Sequence, residues 1–157
     1  MVSTTISVPG SPALIVPATW RDLMDLRRVE RVCFQVDSWP LLDIIGILTV
    51  PGIVRLKAEI DGELIGFIAG DVRKSRELAW IATICVLPNY RGQGIGSALL
   101  SACEERLPVH HIRLSVRASN RSAIQLYLHT GYNRVGLWKK YYQDGEDAMV
   151  MEKELRL

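Results

Sequence analysis

A chain of 157 residues corresponds to about one domain and is long enough to bury a hydrophobic core without disulfides or metal. With 48% of its residues hydrophobic, it is not a disordered chain. Its net charge of +2, from 19 basic and 17 acidic residues, argues against a protein that coats nucleic acid.

Apolar runs and helical spacing alternate along the first half of the chain. The predicted elements are a strand over Ala13–Pro17, a helix from Thr19 to Cys33, a helix over Leu41–Leu48, and strands over Ile53–Ile60, Leu64–Val72 and Leu78–Leu87. Thr19 and Asp22 have the spacing of a capping box, and Glu30 lies beside the apolar stripe of the first helix. Asp61-Gly62 predicts a tight hairpin.

The second half of the chain continues the alternation. Its predicted elements are a helix over Ile95–Arg106, a strand over Ile112–Val116, a helix over Ser122–Thr130, and strands over Val135–Tyr142 and Ala148–Leu155. The resulting order, β-α-α-β-β-β-α-β-α-β-β, predicts an α+β fold with a mixed, mainly antiparallel sheet flanked by helices.

A glycine-rich loop, Arg91-Gly92-Gln93-Gly94-Ile95-Gly96, lies between a buried strand and an amphipathic helix. Glycines let the backbone approach a ligand closely, and the free N–H groups of a helix start favour an anion such as a diphosphate. A dinucleotide-binding GxGxxG would need glycine where Ser97 stands, and the GK[ST] ending of a Walker loop is absent. A tight strand-to-helix turn without a ligand is the alternative.

The basic residues are concentrated in one part of the sequence. The stretch from Arg106 to Lys140 contains no acidic residue but all three histidines and seven basic residues. These seven are Arg106, Arg113, Arg117, Arg121, Arg134, Lys139 and Lys140. In a chain with so small a net charge, this pattern indicates a local anionic ligand rather than a polyanionic partner.

The sequence also predicts the compartment. The chain has three cysteines, which are Cys33, Cys85 and Cys103. Their number is odd and none has CxxC spacing, so we expect neither a disulfide framework nor a metal site. The N-terminus lacks the basic residues of a signal peptide, and no apolar run is long enough to span a bilayer. We therefore expect one soluble, cytoplasmic domain over residues 1–157, monomeric or dimeric, with a flexible terminus over residues 1–11.

Read as [Q/R]xxGx[G/A], with Arg91, Gly94 and Gly96 at the defined positions, the loop resembles the acetyl-CoA pyrophosphate loop of the GNAT N-acetyltransferase superfamily. The flanking segments, 84–88 and 97–100, resemble that family as well. The resemblance covers nearly the whole domain and implies the GNAT (acyl-CoA N-acyltransferase) fold.

Two further segments resemble particular members of this superfamily. Val116-Arg117-Ala118-Ser119-Asn120 and the segments at 123–127 and 131–132 resemble the bacterial RimI-type enzymes. The segment 141–148, Tyr-Tyr-Gln-Asp-Gly-Glu-Asp-Ala, resembles the catalytic subunits of archaeal and eukaryotic protein N-terminal acetyltransferases.

The resemblance implies acetyl-CoA as cofactor, held between the strands ending near Leu87 and Val116. The residues it assigns to the cofactor are Ile84, Cys85, Val86, Arg91, Gly92, Gln93, Gly94, Ile95, Gly96, Ser97, Asn120 and Tyr127. Backbone groups of the strand would pair with the pantetheine amides, and the loop would hold the diphosphate. Tyr127 would be the general acid that protonates the leaving thiolate, whereas Asn120 is equally compatible with helix capping.

The resemblance also implies a protein or peptide N-terminus as the acceptor. The residues it assigns to the acceptor are Phe34, Trp39, Tyr141 and Tyr142. RimI-type enzymes carry a glutamate where this chain has Ser115, and a serine hydroxyl is not a competent base at neutral pH. The base is then a water held by backbone carbonyls, Glu30, or another loop residue.

Three classes of function compete on these observations. The leading hypothesis is an acetyl-CoA-dependent enzyme that acetylates the N-terminal amine of a protein of the ribosomal-protein type by direct transfer. A small-amine or lysine acetyltransferase and a non-catalytic acyl-CoA-binding module are the alternatives, and Ser115 is the best support for the latter. A nucleic-acid-binding protein is disfavoured because the aromatic residues are not interleaved with the basic ones.

Overall fold

The computed structural model describes residues 3–8, 11–73 and 77–156 of the chain. These residues form eight strands and four α-helices. In chain order they are β1 (Thr4–Val8), β2 (Ser11–Pro17), α1 (Leu23–Cys33), α2 (Leu41–Thr49), β3 (Ile53–Ile60), β4 (Glu63–Arg73), β5 (Leu78–Val86), α3 (Ile95–Glu104), β6 (His111–Arg117), α4 (Arg121–His129), β7 (Asn133–Trp138) and β8 (Ala148–Glu154).

The chain divides into two compact units. The first comprises Met1–Asp71 and Ala82–Leu107, and the second comprises Val72–Ile81 and Pro108–Leu157. Strand β5 therefore supplies its first residues to the second unit and its last residues to the first.

The first unit has the strand order β1-β2-β3-β4-β5, in which β1 to β4 are antiparallel neighbours. Asp61 and Gly62 join β3 to β4 with φ values of 50° and 82°. Both residues thus have the positive φ that a two-residue hairpin needs, which confirms the predicted turn.

Helices α1 and α2 supply much of the core of the first unit. Leu26 and Val29 of α1 are buried in one cluster with Ile44 and Ile47 of α2 and Phe67 of β4. This is the apolar stripe that the helical spacing predicts, because residues three and four apart share one face of a helix.

The start of α1 also follows the prediction. The Thr19 hydroxyl accepts from the Arg21 N–H, and the Asp22 carboxylate accepts from the Thr19 N–H at 2.7 Å. This reciprocal arrangement is a capping box, and it encloses a single 3₁₀ turn that leads into the helix.

The second unit has the strand order β5-β6-β8-β7. Strands β5 and β6 are parallel, in a register that runs from Leu78↔His111 to Trp80↔Arg113. Strand β8 is antiparallel to both β6 and β7. The described strands thus form both parallel and antiparallel pairs and are flanked by helices, which confirms the predicted α+β class.

Two elements differ from the sequence-based prediction. Thr4–Val8 forms a strand paired with β2, although the sequence indicates a flexible terminus over 1–11; residues 1, 2, 9 and 10 of that segment lie outside the described part of the chain. Strand β7 ends at Trp138 rather than at Tyr142, because Lys140 has a left-handed backbone with φ of 52°. The tyrosine pair is therefore in the connection between β7 and β8.

Among the described residues, no helix is long and apolar enough to cross a membrane.

Candidate active site

The glycine-rich loop of the first unit is open on its outer face. Gly92 and Gly94 have φ values of 74° and 84°, and a Cβ at either position would have no neighbour within 4 Å among the described residues. Gly94 is the N-cap of α3 and offers no side chain to its first turn, whose first backbone bond is from the Ala98 N–H to the Gly94 carbonyl. The amides of Ile95 to Ser97 thus have no intrahelical acceptor, which is the arrangement that binds anions.

Two side chains of this loop donate hydrogen bonds to backbone carbonyls that precede it. The Arg91 Nε donates to the Val86 carbonyl at 2.8 Å, and the Gln93 amide donates to the Asn89 carbonyl at 3.4 Å. The side chain of Ile95, the first residue of α3, is by contrast fully buried. Because one guanidinium edge of Arg91 is tied to the strand end, its charge is held beside the open face of the loop.

The last residues of β5 combine exposed and buried side chains. Ile84 and Val86 are half-buried, whereas Cys85 is in the core. Its contact with Cys33 and its burial raise the pKa of the Cys85 thiol well above its usual range, so it is a packed strand residue rather than a nucleophile.

Cys33, at the end of α1, has the opposite character. A hydrogen bond from Cys85 and the neighbouring Arg91 guanidinium lower the pKa of the Cys33 thiol to about 7, and its Sγ lies 3.4 Å from the Val86 carbonyl oxygen. The sequence places Cys33 only in the apolar stripe of α1. No sequence signal pairs it with a cysteine 52 positions further along the chain.

The predicted acceptor residues Phe34 and Trp39 both pack against the α1–α2 core of the first unit. Trp39 donates its backbone N–H to Glu30 Oε1 at 2.6 Å. Glu30 is 4% exposed, and burial raises the pKa of its carboxyl group. The connection between α1 and α2 is therefore held in place by a buried carboxylate.

Tyr127 and Asn120 belong to α4 in the second unit. Tyr127 is 5% exposed and packs edge-to-face on Tyr132 with ring centroids 5.9 Å apart. Burial, and secondarily Tyr142, raise the pKa of the Tyr127 phenol, so that it holds its proton at neutral pH. Asn120 caps α4, because its Oδ1 accepts from the Ala123 N–H at 3.2 Å.

Tyr141 and Tyr142 end a row of aromatic rings in the second unit. Trp80 and Trp138 are stacked at 5.6 Å, Trp138 lies 5.2 Å from Tyr141, and Tyr141 packs edge-to-face on Tyr142 at 5.2 Å. The Arg117 guanidinium lies 4.1 Å from the centre of the Tyr142 ring. Tyr141 remains 54% exposed, so this row offers an aromatic surface to a ligand.

Two arginines of the acid-free stretch pair with acids from outside it. Arg117 donates to Asp144 at 2.8 Å and to Glu146 at 2.7 Å, and Arg113 pairs with Glu152. Hydrogen bonds from Ser119, and then the Arg117 charge, lower the pKa of Glu146 to about 2. Arg113 and Arg117 thus pair with carboxylates of the second unit, so their charges are matched within the protein.

Ser115 and the histidines supply no obvious base. Ser115 is on β6 opposite Val150 of β8. His110 and His129 are exposed, and His111 lies 3.7 Å from Glu152.

The predicted site residues are divided between the two units. The loop, the end of β5 and the α1–α2 connection belong to the first unit. Asn120, Tyr127 and the tyrosine pair belong to the second unit.

The chain matches the acetyltransferase (GNAT) family over residues 20–132. It therefore belongs to this family, which confirms the family and the fold that the sequence motifs predict.

Individual relatives are protein N-terminal acetyltransferases. The chain is 34% identical to the N-alpha-acetyltransferase RimI of Mycobacterium tuberculosis, over 91% of this chain and 93% of that protein. It is 30% identical to the N-terminal acetyltransferase A complex catalytic subunit NAA10 of Arabidopsis thaliana, over 88% and 76%. The crystal structure of the ribosomal-protein-S18-alanine N-acetyltransferase from Escherichia coli superimposes with a TM-score of 0.83 at 27% identity, covering 92% and 95% of the two chains.

Proposed function

We propose that this chain transfers the acetyl group of acetyl-CoA to the N-terminal amine of a protein. The observation that carries the proposal is the open glycine loop at the start of α3, where uncapped amides stand beside Arg91. The similarity to N-terminal acetyltransferases favours an α-amine as the acceptor. We also place the enzyme in the cytoplasm, in keeping with its three free cysteines, which a reducing compartment maintains.

The residues of the loop fit the cofactor that the family uses. A diphosphate needs several N–H donors and positive charge at close range, and the amides from Gln93 to Ser97 together with Arg91 supply both. The backbone at Ile84–Val86 would bind the pantetheine amides as an added strand does. When bound, acetyl-CoA supplies a thioester that an unprotonated amine can attack directly, without an acyl-enzyme.

Individual aromatic residues have proposed roles in the reaction. A phenol that holds its proton at neutral pH is suited to donate it to a leaving thiolate, which is the role proposed for Tyr127. We assign contacts with the acceptor backbone to Tyr141 and Tyr142, and contacts with its first side chain to Phe34 and Trp39.

A panel of peptides tests this function. The protein is incubated with acetyl-CoA and peptides that begin with Ala, Ser, Met, Thr or Gly, including the N-terminus of a ribosomal protein, and mass spectrometry locates the acetyl group. We expect acetylation of the α-amine in at least one peptide and none of a matched peptide whose N-terminus is blocked and whose lysine is free. Acetylation of small amines or lysine alone would contradict the acceptor class. Binding of acetyl-CoA without any turnover would instead identify a non-catalytic acyl-CoA-binding module.

A further inference from the structure

A recess in the first unit lies beside the buried face of α1. It has room for about one water molecule, and its walls are the apolar side chains of α1, α2 and β4 together with Glu30, Trp39, Thr83 and Cys85. Trp39 is one of the residues proposed to contact the acceptor. Cys85 belongs to the strand segment proposed to bind the pantetheine. The recess therefore lies next to both halves of the proposed first-unit site.

Glu30 is the charged residue in this wall, and its hydrogen bonding is incomplete. Oε1 accepts the Trp39 N–H at 2.6 Å, whereas Oε2 is buried and has no hydrogen-bond partner among the described residues. Buried polar atoms are almost always paired in folded proteins, because leaving them unpaired is costly. An unpaired carboxylate oxygen beside a recess of this size is therefore suited to accept a hydrogen bond from a single buried water.

The surroundings favour proton uptake by this carboxyl group. Burial raises its pKa more than the Trp39 hydrogen bond and the Arg31 charge lower it. The facing residues from α2 and β4, including Ile44 and Phe67, carry no titratable group. The thiols of Cys33 and Cys85 are the remaining titratable groups nearby.

We propose that Glu30 is the base that accepts the first proton from the acceptor ammonium. This inference rests on the proposed acetyl transfer and identifies a group for a step that Ser115 is unable to perform. A water in the recess would take the proton from the ammonium and pass it to Oε2, and Trp39 would hold the other oxygen so that the carboxylate keeps its orientation.

The proton count of the reaction makes this role explicit. An ammonium enters with three N–H bonds and leaves as an amide with one. The first proton passes to Glu30 and from there to solvent, which frees the nitrogen lone pair. The nitrogen then bonds to the acetyl carbon and the bond from that carbon to sulfur breaks. The nitrogen releases its second proton to solvent while the sulfur takes up one proton, so the count balances.

A comparison of two acceptors tests the proposal. One is a peptide with an ordinary N-terminal amine, and the other is the same peptide with an N-terminal aminooxyacetyl group, which is unprotonated at neutral pH and needs no base before attack. We expect Glu30→Gln to lower kcat/KM by about 100-fold or more for the ordinary peptide, the size typical of general-base catalysis. For the aminooxy peptide, we expect a change of no more than a few-fold. A purely structural role predicts equal losses for both, and that result would overturn the proposal.

Three measurements keep this test interpretable. Glutamine can still accept the Trp39 N–H, and circular dichroism and calorimetric titration with acetyl-CoA check that the variant folds and binds the cofactor as wild type does. Glu30→Asp keeps the carboxylate one methylene shorter, and we expect it to regain part of the rate with the ordinary peptide. Glu63→Gln, at a half-exposed glutamate at the start of β4, is the matched control and should leave both rates unchanged.

The outcomes also separate this inference from the proposed function. If wild type acetylates small amines but no peptide, the acceptor class is wrong. The ratio of kcat/KM for wild type to kcat/KM for Glu30→Gln is then measured with ethylamine and with methoxyamine. We expect a large ratio for ethylamine and a ratio near one for methoxyamine. If Glu30→Gln acetylates both peptides at the wild-type rate, the α-amine activity stands and Glu30 is not the base.

Discussion

Gly66 in β4 is the position where one added methyl group should affect both stability and cofactor binding. A Cβ at Gly66 would lie 3.1 Å from the Cys85 carbonyl oxygen and 3.2 Å from Leu99 Cδ1. Both distances are shorter than an ordinary van der Waals contact. The Leu99 side chain can shift, but the Cys85 carbonyl is part of the β5 backbone and moves only if the strand moves.

The expected magnitude follows from these contacts. Overpacking a buried site costs about 1–3 kcal/mol, and replacing a strand glycine returns about 0.5–1 kcal/mol of backbone entropy. Taking values near the middle of both ranges, Gly66→Ala should destabilise the protein by about 1–2 kcal/mol. For a chain of this length, the corresponding fall in Tm is about 2–8 °C.

Thermal unfolding and calorimetric titration with acetyl-CoA measure the two effects. The matched control is Gly46→Ala in α2, where a Cβ would have no neighbour within 4 Å and where alanine favours the helix by up to about 1 kcal/mol. We expect Gly66→Ala to lower Tm and weaken acetyl-CoA binding, and Gly46→Ala to raise Tm with binding unchanged. Equal Tm values for Gly66→Ala and wild type would refute the argument from the Cys85 contact.

Three further predictions concern individual side chains. Tyr127→Phe should lower kcat about tenfold or more, while the Kd for acetyl-CoA stays within about twofold of the wild-type value. An unchanged kcat in stopped-flow or steady-state assays would show that the phenol takes no part in the chemistry. Because the folded-state pKa of Glu146 is lowered to about 2, its ionised form stabilises the folded protein fully above its ordinary pKa of 4.5, and this contribution disappears as the pH falls towards 2. Urea unfolding of wild type and Glu146→Gln should accordingly differ most near neutral pH and converge in acid; a constant difference would contradict the assignment. At pH 8, iodoacetamide should modify Cys33, whose thiol has a pKa of about 7, well before Cys103, because burial raises the pKa of the Cys103 thiol to about 12. Peptide mapping identifies the modified residue, and modification of Cys103 first would contradict these environments.

Local chemistry explains the parts of the fold that the sequence predicts well. The Asp61-Gly62 hairpin, the Thr19 capping box and the apolar stripe of α1 each depend on residues within a few positions of one another. Strand β1 was missed because Thr4–Val8 is stabilised as a strand by pairing with β2, not by a strong pattern of its own. The end of β7 was misplaced because the left-handed Lys140 lies in a run of residues that are all compatible with a strand.

The electrostatics of the site were less accessible from the sequence. The partners of Arg117 lie 27 and 29 positions away, so its pairing with the acidic turn is a consequence of the β6–β8 register. Glu30 looks like one more polar residue on a helix until α2 and β4 enclose it. In both cases the sequence does not show the residue's environment, because that environment is formed by distant parts of the chain.

The stacked tryptophans of the second unit give the enzyme a built-in optical signal. Trp80 and Trp138 are close enough for their transitions to couple, and the same row of rings continues to Tyr141. A ligand that displaces the tyrosine pair changes this coupling in the near-ultraviolet circular dichroism spectrum. Ligand binding at this row of rings can thus be followed in unlabelled protein, and the Trp80→Phe variant, which lacks the stacked pair, identifies the part of the spectrum that the row contributes.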